Sequence, residues 1–175
     1  MSIEQLKTKL PDYAKDIRLN ITQVFSEEGA PDLSQKQIFQ IALGVAYSLK
    51  NCFIIESILA EAGQTLSDAD NDAAKSAATI MAMNNIYYRF VHLTSDKSFS
   101  TIPAKLRMNI IANPGIDKID FELICLAVSA INGCGMCIDA HTNILIKSGI
   151  SKISIQSAIR LASVLNAVST GMEIS

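Results

Sequence analysis

Apolar residues recur along this chain at three- and four-residue intervals, and no stretch alternates apolar and polar positions long enough to suggest a strand. Between the breakers Ala, Leu, Ile, Lys and Gln dominate while Val and Thr are sparse, a mixture that favours the helix. Pro11, Pro31, Pro103 and the turn Asn113-Pro114-Gly115 punctuate the pattern, and Asp32, Ser34 and Ser151 carry side chains suited to capping a helix start. The pattern predicts helices over residues 12–26, 34–50, 52–63, 67–93, 103–112, 118–131, 134–148 and 151–172. Beyond Asp70, the positions Ala73, Ala77, Ile80, Met81, Ile86 and Tyr87 keep the spacing of one buried face, and Met81, Met83 and Met108 read as core filler. No Gly/Ser linker or composition shift divides the chain. The expectation is all-α: a single compact helical domain of about eight helices over residues 1–175.

A faint repeat runs through the pattern at an offset of 82 residues. It sets Phe39-Gln40-Ile41 against Phe121-Glu122-Leu123 and Cys52 against Cys134, with Ile55 where Cys137 stands and Leu59 where His141 stands. Either the chain holds two related helical halves, or two amphipathic helices merely look alike.

Composition narrows the function. A chain of 175 residues can bury a core without disulfides. With 15 Lys plus Arg against 17 Asp plus Glu and no basic cluster, nothing here would neutralise phosphates, so nucleic acid is excluded as a primary partner. The hydrophobic fraction of 49% calls for a membrane check. The longest uncharged stretch, Leu123 to Ile138, has 16 residues and contains Ser129, Asn132, Gly133 and Gly135, too short and too polar for a bilayer span. The first residues lack the apolar core of a secretion signal, so a cytoplasmic, thiol-reducing setting is expected.

In such a setting four cysteines are not a disulfide framework, and two of them stand as Cys134-Gly-Met-Cys137. Asn132-Gly133 ends one apolar helix and leaves Cys134 in the opening turn of the next. At helical spacing Cys134, Cys137 and His141 fall on one face. Several effects there favour a thiolate. The positive helix end acts on Cys134, His141 lies four residues beyond Cys137 and can take its proton, and each thiol can stabilise the other or resolve its oxidised form. The helix end singles out Cys134 as the reactive thiol, whereas contact with His141 singles out Cys137. Glu122, a carboxylate in an otherwise apolar run, stands either at a helix start or buried for a purpose, and a helical hairpin would bring it beside His141.

Redox work is the first reading of a CxxC pair at a helix start, metal binding the second and inert structure the third. A metal would need both cysteines, His141 and Glu122, since no second CxxC or His pair exists. Cys52 and Cys125 read as small core residues, and His92, with Arg89 and Asp96 nearby, as exposed surface.

The opening MSIEQLKTKLPDYAKDIRLN, the MAMNNIYYR stretch ending at Arg89, LRMNIIANPGI from Leu106 to Ile116, and FELICLAVSAINGCGMC running into His141 resemble the alkyl hydroperoxidase D (AhpD) proteins, of the carboxymuconolactone-decarboxylase-like superfamily. The resemblance implies an antioxidant enzyme that reduces alkyl hydroperoxides without a bound cofactor. It further implies regeneration of a partner peroxiredoxin, AhpC, with electrons from the dihydrolipoyl group of a carrier protein, and assembly as a homotrimer. It implies Cys137 as the peroxide-attacking thiol that passes through a sulfenic acid, Cys134 as proton donor and resolving thiol forming a disulfide with Cys137, and Glu122 with His141 as a proton relay. One departure stands out: many members carry a second His just before the latter cysteine, where this chain has Met136. Two other readings follow from the same segment. One is a decarboxylase of the carboxymuconolactone type, working through a base. The other is a zinc-binding or redox-sensing interaction module.

Overall fold

The computed structural model describes residues 2–174, and among them it contains α-helices joined by turns and short 3₁₀ segments, without a strand. The α-helices are α1 (Ile3–Thr8), α2 (Lys15–Val24), α3 (Gln35–Leu49), α4 (Cys52–Ala62), α5 (Asp68–Leu93), α6 (Asn109–Ala112), α7 (Lys118–Ile131), α8 (Gly135–Lys147) and α9 (Lys152–Glu173). The all-α reading holds, and the longer helices begin within a residue of their expected starts. The first expected helix is shorter than read: residues Asp12–Ala14 form a 3₁₀ turn before α2. Ahead of it, α1 was not foreseen, although Ser2 and Gln5 form a reciprocal capping box that starts it. The expected helix over 103–112 shrinks to α6, because the chain stays irregular past Pro103 and Lys105 takes φ +53°.

Side-chain caps set the starts. Ser34 accepts from Gln37 N, Asn51 from Ile54 N, Ser67 from Asp70 N, Asp117 from Ile119 N and Asp120 N, and Ser151 from Ser154 N. Asp32 does not cap. It sits at φ +63°, and its carboxylate and carbonyl accept hydrogen bonds from Ser151 Oγ and Ser154 Oγ, pinning the loop before α3 to the start of α9.

α3 and α7 form the centre. Residues 38–46 of α3 and 121–129 of α7 are buried all round, as two helices at the middle of a core must be. They pack against each other, and their close approach needs Gly44, where an added Cβ would run into Ile124 Cγ2. Most of the buried apolar side chains join in one continuous cluster. Helix order and pairing repeat: α3 packs on α4 and α5, α7 packs on α8 and α9, and across the halves α3 meets α9 while α7 meets α5. The caps place the halves 83 residues apart, Ser34 against Asp117 and Asn51 against Cys134, and the two buried runs keep the same offset. That is one residue off the register read from sequence. The counterpart of Cys134 is therefore the capping residue Asn51 and not Cys52.

The buried face of α5 also differs from expectation. It comprises Ala73, Ala74, Ala77, Ala78, Met81, Asn84, Asn85 and Val91, while Ile86 is 67% exposed. Ile86 lies five residues after Met81, nearly opposite it around the helix, so the stripe continues through two asparagines instead.

Candidate active site

The turn between α7 and α8 is built by backbone geometry. Asn132 caps the end of α7, Gly133 takes φ +67°, and Cys134 is extended with φ −93° and ψ 93°. Cys134 therefore stands as the N-cap of α8, one step outside the helix, and does not share the helical face expected for it. Its Sγ takes the role usually held by a Ser or Asp oxygen, accepting a hydrogen bond from Cys137 N at 3.3 Å. A sulfur in this place is stabilised as an anion by that N–H and by the positive end of α8. Cys134 and Cys137 are joined in a disulfide with their Cα atoms 5.3 Å apart. Cys134 has no exposed surface and Cys137 is 6% exposed, so what little access exists is to Cys137.

Glu122 lies in the second turn of α7 and is 1% exposed; of its two sequence readings, the buried one holds. Its Oε2 is 2.6 Å from His141 Nδ1, across the α7–α8 hairpin. A carboxylate this deep needs a partner of that kind, because leaving it alone would cost several kcal/mol of desolvation. His141 stands one turn after Cys137 on α8, also buried. The four residues named from sequence thus form two bonded pairs at one hairpin, Cys134 with Cys137 at the start of α8 and Glu122 with His141 between α7 and α8.

The structure adds a third party. His141 Nε2 faces Met81 Sδ at 3.3 Å, and Ser129 Oγ donates to the same sulfur at 3.4 Å. Asn85 Nδ2 donates to Ser129 Oγ at 3.0 Å, Asn132 Nδ2 donates to Asn85 Oδ1 at 2.9 Å, and Arg89 donates to Asn132 O at 2.7 Å. A polar chain therefore runs from Glu122 through the core to Arg89. Arg89, Asn85 and Asn132 line an open cavity of about 700 Å3, shared with Tyr47, Lys50 and Lys75. Sequence reading missed this chain, taking Met81 as filler. The available signal was the pair Asn84-Asn85, which interrupts an apolar stripe one turn after Met81.

His92 is exposed, as expected, yet its Cε1 lies 4.0 Å from where a Gly135 Cβ would sit, so the ring faces the turn between the cysteines. Met136, in place of a second His, is half-buried. Cys125 is buried, as read; Cys52 is exposed at the first position of α4, contrary to the core role expected of it. The metal alternative needed both sulfurs of the pair as ligands. Here they are bonded to each other, and among the described residues no group of three or more His, Cys, Asp or Glu is arranged to hold a metal ion. No helix among the described residues is long and apolar enough to cross a membrane.

Residues 98–172 match the Carboxymuconolactone decarboxylase family. Over 164 residues, covering 94% of this chain and 93% of the relative, the sequence is 60% identical to the alkyl hydroperoxide reductase AhpD of Coxiella burnetii (strain RSA 493 / Nine Mile phase I). It is 52% identical over 173 residues to the protein of that name from Rhodopseudomonas palustris (strain BisA53), covering 99% of this chain and 94% of the relative. With the one from Brucella anthropi it shares 50% identity over 173 residues, 99% of this chain and 97% of the relative.

Proposed function

Since this chain belongs to the AhpD family of alkyl hydroperoxide reductases, we propose that it is a thiol-dependent alkyl hydroperoxide reductase working through Cys137 and Cys134. The observation that carries the reading is the Cys134–Cys137 disulfide at the start of α8, with the Glu122–His141 pair buried across the same hairpin. In the reduced protein the Cys137 thiolate attacks the distal oxygen of ROOH. The O–O bond breaks, ROH leaves with a proton, and Cys137 becomes a sulfenic acid. Cys134 then attacks that sulfur and expels water, which returns the disulfide seen here. Glu122 and His141 hold and move the proton that each step needs. A dithiol, the dihydrolipoyl group of a carrier protein, reopens the disulfide by two exchange steps and is itself oxidised to a cyclic disulfide. No bound cofactor takes part.

The same proposal includes a peroxiredoxin partner of the AhpC kind, a cytoplasmic setting and assembly as a homotrimer. Support for assembly comes from α5, which presents Ile86, Phe90 and Leu93 along one side, 67%, 51% and 72% exposed, an apolar stripe that a second copy would cover. A solution mass of three chains by light scattering supports the trimer, and a monomer mass overturns it.

Peroxide consumption with dihydrolipoamide as the only electron source tests the activity. Turnover is expected to be lost in Cys137→Ser; undiminished turnover in that variant would sink the assignment. The decarboxylase reading requires no thiol, so conversion of a lactone substrate that survives alkylation of the reduced protein would favour it instead.

A further inference from the structure

Three polar groups converge on the sulfur of Met81: His141 Nε2 at 3.3 Å, Ser129 Oγ at 3.4 Å and Asn85 Nδ2 at 3.8 Å. Met81 is 1% exposed. A methionine chosen only to fill volume has no reason to turn its sulfur toward donors, since methylenes would pack there as well.

The neighbours of His141 fix what each ring nitrogen can do. Nδ1 is held at 2.6 Å by Glu122 Oε2, so those two atoms share one hydrogen between them. A thioether has no hydrogen to give and can only accept. Whichever partner holds the hydrogen on the Glu122 side, Nε2 is matched to its sulfur neighbour only when it carries a hydrogen of its own.

We propose that Met81 is a positioning residue whose thioether receives the Nε2–H of His141 in the oxidised protein and keeps that hydrogen ready for the Cys137 sulfur. The inference rests on the dithiol cycle proposed above. When a donor thiolate attacks Cys137 Sγ, the sulfur with some access, the S–S bond breaks and its electron pair leaves on Cys134 Sγ at the positive end of α8. The donor's second thiol, losing its proton, then attacks the donor sulfur of the mixed disulfide, completes the donor's own oxidation to a disulfide and expels Cys137 as a thiolate. The proton from His141 Nε2 passes to that sulfur. A neutral thioether is a weak acceptor, whereas a thiolate is a charged one, so the hydrogen leaves Met81 as soon as Cys137 is released. An oxygen acceptor in the same place would compete harder and hold the ring away.

The test uses the oxidised full chain labelled with 15N and compares it with Met81→Leu, a swap that keeps volume and removes only the acceptor. The chain has two histidines, so a His92→Asn variant assigns their imidazole patterns. In the wild type, His141 Nε2 is expected at the shift of a protonated nitrogen. In Met81→Leu it is expected to move toward the unprotonated position and to exchange its hydrogen with solvent faster. Ser129→Ala removes a different donor to the same sulfur and is expected to leave the Nε2 signature in place. An Nε2 signature unmoved by Met81→Leu, or moved equally by Ser129→Ala, overturns the proposal. In turnover with dihydrolipoamide, Met81→Leu is expected to lower kcat about fivefold, the weight of one weak hydrogen bond, with KM for the hydroperoxide kept. An unchanged kcat in an active protein overturns it. A wild type without peroxidase activity whose Nε2 signature still responds to Met81→Leu overturns the reductase reading and leaves the positioning role standing.

Discussion

Cys125 lies three residues after Glu122 on α7 with no exposed surface, and burial, reinforced by that carboxylate, pushes its thiol well above the ordinary range. Cys52 opens α4 exposed to solvent, and Cys134 and Cys137 are tied to each other. Iodoacetamide reacts with thiolates that it can reach. Without reductant it is therefore expected to label Cys52 alone, and after mild reduction Cys137 as well, with Cys125 unmodified throughout in the folded protein. Peptide mass spectrometry reads this directly, and label on Cys125 under native conditions would contradict the burial argument. The pair was legible in the sequence because its spacing implies its chemistry. The face of Cys52 was not, since Phe53, Ile54 and Ile55 surround it with apolar neighbours whichever way it turns. Its direction is set by Asn51, whose side chain fixes where α4 begins.

The start of α5 ties two helices together through one carboxylate. Asp70 is 1% exposed. Burial alone would raise its carboxyl, but hydrogen bonds from Ser67 N and Oγ, from Gln40 Nε2 on α3 and from Lys36 Nζ outweigh burial and bring it down to about 2 from 3.8. A carboxyl held lower in the folded than in the unfolded chain stabilises the fold fully above the unfolded value, near pH 4, and loses that contribution as pH falls toward 2. The stabilisation is about 2 kcal/mol. Urea midpoints measured between pH 6 and pH 2 are expected to fall through this window in the wild type. In Asp70→Asn the stability starts lower and the acid slope flattens by about that amount; an unchanged slope would show that Asp70 is not the group responsible. The helix itself was legible in the sequence, over residues 67–93. The reach of Asp70 to Gln40, 30 residues earlier, depends on how α3 and α5 cross, which no local pattern records. The same limit explains the misread face of α5. Its apolar residues suggested a stripe through Ile86, whereas the core takes Asn85, which the polar chain to Arg89 supplies with partners.

At the scale of the whole molecule, two halves share one architecture, and the proposed chemistry lies in the second. Aligned by their caps, Glu122, Cys137 and His141 fall where the first half has Phe39, Ile54 and Ile58, which are 6%, 0% and 0% exposed. Both sets of positions are buried, so the helical hairpin keeps its shape with apolar side chains there. The polar set in the second half is thus not needed to make the fold, and it adds the cost of desolvating an ionisable pair. That separates architecture from chemistry in a way a substitution can measure. Glu122→Gln keeps the size of the side chain and an oxygen to accept from His141 Nδ1, but it cannot exchange a proton. Peroxide turnover is expected to fall about a hundredfold, the usual weight of one general acid–base group. The thermal midpoint is expected to shift by no more than about 4 °C, the equivalent of roughly 1 kcal/mol in a chain of this length. Glu122→Leu returns the position to the apolar character of its counterpart Phe39 but leaves His141 Nδ1 buried without a partner, at a cost of about 1–3 kcal/mol. If turnover in the two variants tracks their stability, the pair is structural. If Glu122→Gln loses turnover at nearly full stability, the pair moves protons, and the second half differs from the first by chemistry laid over a shared core.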